Sequence, residues 1–332
     1  MNKELLVSLL SGGLAFAVTL VAGFVLIPVL RRLKLGQTIK EIGPKWHMSK
    51  QGTPTMGGLI FILGITAAVL VMGWRQVSEG RYAHLLILGF ALIYGAIGFI
   101  DDWFKVAKKQ NLGLTALQKL ALQLAVAAAF IAALRYFGYM TSDLYIPFWQ
   151  ISIPMPWLFL SVCALLVVAG MVNAVNLTDG VDGLCTGVTI PVAVFFTVLG
   201  FVWALPELRL FGAALTGAML GFLVFNFHPA KVFMGDTGSL FLGGAVCGVA
   251  FVCDAPLLLV ITGFVYIVEM LSVMAQVFYF KLTKGKRLLK MSPLHHHFEL
   301  CGWKEVKIFS VFTAVSAGLC ALAYLGVLNR YH

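Results

Sequence analysis

A helix needs roughly 20 mostly apolar residues to cross a bilayer, and ten segments of this 332-residue chain come close to that length. They lie near residues 8 to 30, 57 to 74, 84 to 100, 115 to 137, 157 to 175, 188 to 204, 208 to 226, 238 to 253, 256 to 280 and 308 to 328. The expectation is an all-α polytopic membrane protein of about ten transmembrane helices, forming a single integral membrane domain over residues 1–332. Composition agrees, at 60% hydrophobic and 11% charged, against about 45–50% and 25% in soluble domains. An ordinary soluble enzyme, a disordered chain and a secreted disulfide scaffold are thereby excluded. Only Asp254 and Pro256 separate the eighth span from the ninth, and spans two, three and eight are short. The longest polar stretches, 31 to 56 and 281 to 307, are too short for a soluble domain, so any chemistry must be assembled from loops and helix ends.

Charge sets the orientation. Loops on one face carry Arg31, Arg32, Lys34, Lys40, Lys45 and Lys50, then Lys105, Lys108 and Lys109, then Lys231, then Lys281, Lys284, Lys286, Arg287, Lys290, Lys304 and Lys307. The other face carries only Lys3, Arg75, Arg81, Arg135, Arg209 and Arg330. The positive-inside rule makes the basic face cytoplasmic and puts both termini outside. The net charge of +10 then reads as sidedness and attraction of anionic substrates, with no nucleic acid implied. Met1 to Gly13 lacks the shape of a cleavable signal and reads as part of the first span. The six cysteines show no metal-ligand spacing; Cys185 and Cys301 fall in cytoplasmic loops. The external segment 138 to 156 reads as a short hairpin on the membrane surface.

Helix parity brings acids together. Asp101 and Asp102 follow span three, Asp179 and Asp182 follow span five, and Asp236 follows span seven, so three loops present carboxylates to one compartment. The same face carries Lys50 and the run His295, His296, His297. Carboxylates beside cations suit a magnesium-dependent phosphoryl site, because Mg²⁺ takes oxygen ligands and substrate phosphates together. Each piece alone has a plainer explanation: a solvated helix end for Asp101-Asp102, a polar turn for Asn176 to Gly183, a capped helix start for Phe233 to Ser239, a surface loop for the histidines. Asp236-Thr-Gly-Ser239 spells an aspartic-protease string, but between two spans it lacks the β-rich fold that string needs. No nucleotide-binding G-x-x-x-x-G-K-[ST] loop is present.

Taken in order, Lys50 to Gly58, Asp101-Asp102, Lys119-x-x-x-Gln123, Asn176 to Gly183, Asn226, Phe233 to Ser239 and Pro293 to Glu299 closely resemble the phospho-N-acetylmuramoyl-pentapeptide transferase family. The match runs from the first cytoplasmic loop to the last, and its one departure is Trp103 where Tyr or Phe is expected. The resemblance implies ten spans, a homodimer in the bacterial plasma membrane, a cytoplasmic active site and Mg²⁺. It implies transfer of phospho-MurNAc-pentapeptide from its UDP carrier to undecaprenyl phosphate, giving lipid I and UMP. Residue by residue, Asp236 resembles the family's magnesium ligand, Asp101 and Asp102 the pair near the lipid phosphate, and His295 the essential histidine. Phe233 matches the aromatic under uracil. Lys50, Thr55, Asp179 and Asp182 match nucleoside positions, and Lys119, Asn176, Asn226, His296 and His297 match other polar positions of the cleft.

A phosphate monoester is largely dianionic at neutral pH, so the lipid phosphate needs little help from a base. Direct attack on the β-phosphorus is therefore preferred to a covalent aspartyl intermediate, which trapping a phosphorylated Asp236 would reinstate. Glu269 sits within the ninth span, where a charge costs about 3 kcal/mol; a hydrogen bond between helices is the expectation, with no partner identifiable. Two rivals stand. A sister enzyme moving an N-acetylhexosamine 1-phosphate would share the aspartates but not Pro293-x-His-His-His-x-Glu299. A secondary transporter would show two related halves, and none are evident.

Overall fold

The computed structural model describes residues 3–33, 50, 52–107 and 113–328. Lys34, Lys40, Lys45, Gln51, Lys108, Lys109 and Arg330 lie outside the described residues. In chain order the elements are α1 (Lys3–Arg32), α2 (Gly58–Met72), α3 (Trp74–Ser78), α4 (Ala83–Ala107), α5 (Ala116–Tyr136), β1 (Asp143–Ile146), β2 (Ile151–Pro154), α6 (Trp157–Thr178), α7 (Leu184–Val202), α8 (Pro206–Asn226), α9 (Gly235–Val252), α10 (Leu258–Thr262), α11 (Phe264–Leu282), α12 (Leu294–Leu300) and α13 (Glu305–Leu325). Among the described residues nine helices are long and apolar enough to cross a membrane, and the apolar α2 makes a tenth at 15 residues. Each expected span meets one of them. The fold is all-α apart from one antiparallel hairpin, β1 with β2 in the register Asp143↔Pro154, inside the segment where a hairpin is expected.

Helix starts differ from the apolar windows. α7 begins at Leu184 and α9 at Gly235, three to four residues earlier than expected, because polar first turns escape a hydropathy window. Cys185 is consequently a buried residue of α7 and not a loop thiol. Asp101 and Asp102 are likewise the last turns of α4 and not a loop after it. The eighth and ninth spans are separated as expected, with Asp254 accepting from the backbone N–H and hydroxyl of Thr141.

α9 is the axis of the bundle, buried at every residue from Thr237 to Val252, with α2, α4 and α6 packed around it. Apolar side chains such as Phe24, Leu158, Leu166, Met274 and Phe278 stand exposed on α1, α6 and α11, as lipid-facing surfaces require. The α4–α9 crossing decides where the aspartates go. A Cβ on Gly98 would collide with the backbone carbonyl of Asp236, so glycine lets the two backbones touch. One turn further along α4, Asp101 and Asp102 then arrive beside Asp236. Gly98→Ala is expected to cost about 2 kcal/mol, the scale of overpacking, and to slow turnover with it; an unchanged melting temperature would show that the helices have room.

A backbone zipper brings in the loop before α2. Phe233 N–H donates to Pro54 O (2.9 Å), Gly57 N–H to Phe233 O (2.8 Å) and Gly58 N–H to Met234 O (2.9 Å). Thr55 thereby lies against Gly235, whose φ of +69° suits glycine.

Candidate active site

Three aspartates and two lysines meet where α4, α5, α6 and α9 end together. Asp102 caps α9 from outside. Its Oδ1 accepts from Asp236 N (3.2 Å), and its Oδ2 accepts from Thr237 N (2.9 Å) and Thr237 Oγ1 (2.7 Å). A carboxylate is favourable there because a helix start exposes N–H groups and positive dipole. Asp236 is in turn surrounded by donors: Asn176 Nδ2 on Oδ1 (2.8 Å), and Lys119 Nζ (2.9 Å) and Lys105 Nζ (2.8 Å) on Oδ2. Lys105 also reaches Asp101 Oδ2 at 2.6 Å and Asp102 Oδ1 at 3.8 Å. Asp101 Oδ1 accepts from Leu114 N–H. One turn below Lys119, Gln123 accepts from Asn173 Nδ2 at 2.7 Å and ties α5 to α6.

Carboxylate oxygens of Asp101, Asp102 and Asp236 lie within 4.8 Å of one another, close enough to share one divalent ion. The set is all hard oxygen, which suits Mg²⁺, and the Lys105 ammonium already occupies a cation's place among the three. A second cluster, Asp182, His228 and Glu305, has similar spacing. There Lys50 Nζ sits 2.6 Å from both Asp182 Oδ1 and Glu305 Oε2, while Asp182 Oδ2 accepts from Ala230 N–H (2.9 Å) and faces His228 Nδ1 (3.0 Å). Its mixed donor set, with a histidine nitrogen beside the carboxylates, fits Mg²⁺ less well. This cluster opens on a cavity of about 530 Å³ lined by Lys50, Thr53, His228, Trp303 and Glu305, among others. Phe233 stands half-buried on the loop between His228 and Asp236.

Asp179 lies between the two clusters. Burial first, then the carboxylates of Asp236, Asp102 and Asp182, hold its carboxyl well above the usual carboxylate range, with Lys50 pulling the other way. A raised native pKa means the folded state binds more protons than the unfolded one, so this contribution to stability is complete below the unfolded value of about 4 and is lost as pH rises through the native pKa. Asp179→Asn should therefore melt above wild type at pH 8, with the gap closing towards pH 4. A pH-independent gap in melting temperature would contradict the assignment.

The histidine run is divided. His295 is fully buried, with Nδ1 3.0 Å from Glu269 Oε2, which supplies the partner that the sequence left unnamed. His296 Nδ1 lies 2.6 Å from Glu299 Oε2. His297 Nδ1 accepts from Lys290 N–H and so braces the loop before α12. Asn226 is also spent on the scaffold, accepting from Thr186 Oγ1 and donating to Val232 O. Lys105, His228 and Glu305 complete the two clusters without standing out in the sequence as site residues. Lys105 had a signal, since i+4 from Asp101 and i+3 from Asp102 share one helix face; nothing local marks the other two.

The chain matches glycosyl transferase family 4 over residues 84–254, the stretch that holds the three aspartates and both lysines. Fold and site thus define a polytopic membrane transferase of that broad class. A narrower match, the phospho-N-acetylmuramoyl-pentapeptide-transferase signature 1, covers residues 50–62, the segment zipped to the Phe233 loop. Proteins of that name are similar throughout: from Clostridium botulinum (strain Alaska E43 / Type E3), 44% identical over 98% of both chains; from Acetivibrio thermocellus, 47% identical over 96% of this chain and 95% of the relative; and from Bacillus subtilis (strain 168), 46% identical over 98% of both. The chain belongs to the phospho-N-acetylmuramoyl-pentapeptide-transferase family.

Proposed function

We propose that the protein transfers phospho-MurNAc-pentapeptide from UDP-MurNAc-pentapeptide to undecaprenyl phosphate, releasing UMP and forming lipid I for peptidoglycan synthesis. The reading includes Mg²⁺ as cofactor, a cytoplasmic active site in the bacterial plasma membrane, a homodimer, and one transferase domain spanning residues 1–332. Its main support is the meeting of Asp101, Asp102 and Asp236 with Lys105 and Lys119 at one end of the bundle, within a chain whose relatives carry that activity in their name.

In this reading the uridine binds at the 530 Å³ cavity lined by Lys50 and Asp182, with Phe233 as the stacking aromatic and Thr55 and Asp179 as further nucleoside positions. Lys105 and Lys119 receive the diphosphate, held in place by Asp236 and Asn176. An oxygen of the lipid phosphate attacks the β-phosphorus; the bond from that phosphorus to the bridging oxygen breaks, and UMP leaves with the electron pair. Lys105 and Lys119 stabilise the charge spread over the transferring group, the dominant need in phosphoryl transfer. Asp101, Asp102 and Asp236 would hold Mg²⁺, which when bound supplies Lewis-acid stabilisation of the phosphates. His295, His296 and His297 belong to the site through the short helix α12.

The test is a direct comparison using purified protein, undecaprenyl phosphate, Mg²⁺ and either UDP-MurNAc-pentapeptide or UDP-GlcNAc. The first is expected to give UMP and a lipid-linked muramoyl product; turnover of UDP-GlcNAc alone would move the protein to the sister branch.

A further inference from the structure

Glu269 and His295 form a dyad sealed inside the bundle, both without solvent exposure. Glu269 Oε2 accepts the His295 backbone N–H at 3.4 Å and stands 3.0 Å from His295 Nδ1. Because Oε2 already accepts the backbone N–H, it is assigned as the acceptor of Nδ1–H as well. The ring's other nitrogen, Nε2, has no protein partner among the described residues. It is aimed at Gly180, where any Cβ would collide with it. Gly180 joins Asp179, which feels the charges of Asp236 and Asp102, to Val181 and the cavity-lining Asp182. The unspent nitrogen therefore lies under the loop that connects the two clusters.

We propose that Glu269 is a positioning residue for the transfer reaction, acting through His295: by taking Nδ1–H it fixes the ring so that Nε2 faces the Asp179–Asp182 loop, which borders the substrate cavity. The inference rests on the proposed function. A simple tether between α11 and α12 is already provided elsewhere. Gln276 accepts from the backbone N–H of Leu288 and Leu289 and donates to Leu289 O, so the fold-back before α12 does not depend on Glu269. A carboxylate at that depth in an apolar span is costly and calls for a use; orientation of a histidine by a carboxylate behind it is one that proteins exploit widely.

The experiment uses full-length protein in detergent: wild type, Glu269→Gln, His295→Asn and the double variant. With UDP-MurNAc-pentapeptide, undecaprenyl phosphate and Mg²⁺, Glu269→Gln is expected to lower kcat about 10- to 100-fold, the usual cost of losing such a partner. KM for the UDP-sugar should stay within about threefold and the melting temperature near wild type. The double variant should be no slower than His295→Asn, because residues acting as one unit do not add. A kcat for Glu269→Gln within threefold of wild type, or losses that multiply in the double variant, would overturn the proposal. Should Glu269→Gln not fold, the ¹⁵N shifts of the wild-type imidazole, assigned by their disappearance in His295→Asn, decide the matter: protonated Nδ1 is expected, and a neutral ring protonated only at Nε2 refutes it. Wild type that makes no product would sink the proposed function instead, and the ring measurement would still judge the dyad.

Discussion

Asp236→Asn is expected to abolish turnover, by about 10³-fold or more, in a protein that still folds. The asparagine keeps the shape of the side chain, and its amide oxygen can still accept from a lysine. What disappears is the charge that two lysines and Asn176 converge on, at 2.8 to 2.9 Å. Lys105 retains Asp101 at 2.6 Å, and Lys119, which loses its counter-charge, keeps the amide oxygen as an acceptor, so the melting temperature should fall by only a few degrees. UMP release and thermal unfolding on one preparation separate the two readouts. Retained turnover would remove Asp236 from the metal and phosphate site.

Asp102→Ala should fail differently. Its two oxygens satisfy two backbone N–H groups and one hydroxyl at the start of α9, and the residue is 4% exposed. Removing it leaves three donors without their acceptor in a dry helix start, at about 3 kcal/mol, and frees the residue next to Asp236 to move. Loss of activity should therefore come with a melting temperature lower by roughly 6–12 °C, at about 2–4 °C per kcal/mol for a large domain. Asp101→Ala is the control: it caps nothing on α9 and should lose activity with a smaller drop. Equal stability of the two variants would refute the capping role of Asp102.

Much of this was legible in the residues because a bilayer imposes a coarse grammar. Apolar runs of fixed length are conspicuous, and counting them assigns every loop to a face. Asp101, Asp179, Asp182 and Asp236 come from three separate stretches of chain, yet parity alone puts them on one face; the structure joins α4, α6 and α9 by hydrogen bonds at Asp236 and puts Asp182 in the neighbouring cluster. The pairing of Glu269 with His295 was out of reach, because it depends on residues 283–293 folding back so that α12 packs against α11. The clamp of Lys50 by Asp182 and Glu305 spans 132 and 255 residues of sequence, and no local pattern encodes such a meeting. Other contacts are equally hidden: Asn226 donates to Val232 O and His297 Nδ1 accepts from Lys290 N–H, pairings that no spacing in the sequence announces.

Lys105 and Lys119 have one more consequence. The three carboxylates at the tip of α9 are offset by ammonium groups that belong to the same chain and cannot diffuse away. A divalent ion entering there meets a tethered competitor whose effective concentration is set by the length of a lysine side chain, a regime that reaches the millimolar range for short tethers. In the proposed Mg²⁺-dependent reaction, chelators should then silence the protein without unfolding it, and half-maximal activity should need more free ion than an uncontested site would. If the proposed Mg²⁺ dependence holds, the bundle's integrity is thus uncoupled from the supply of that ion.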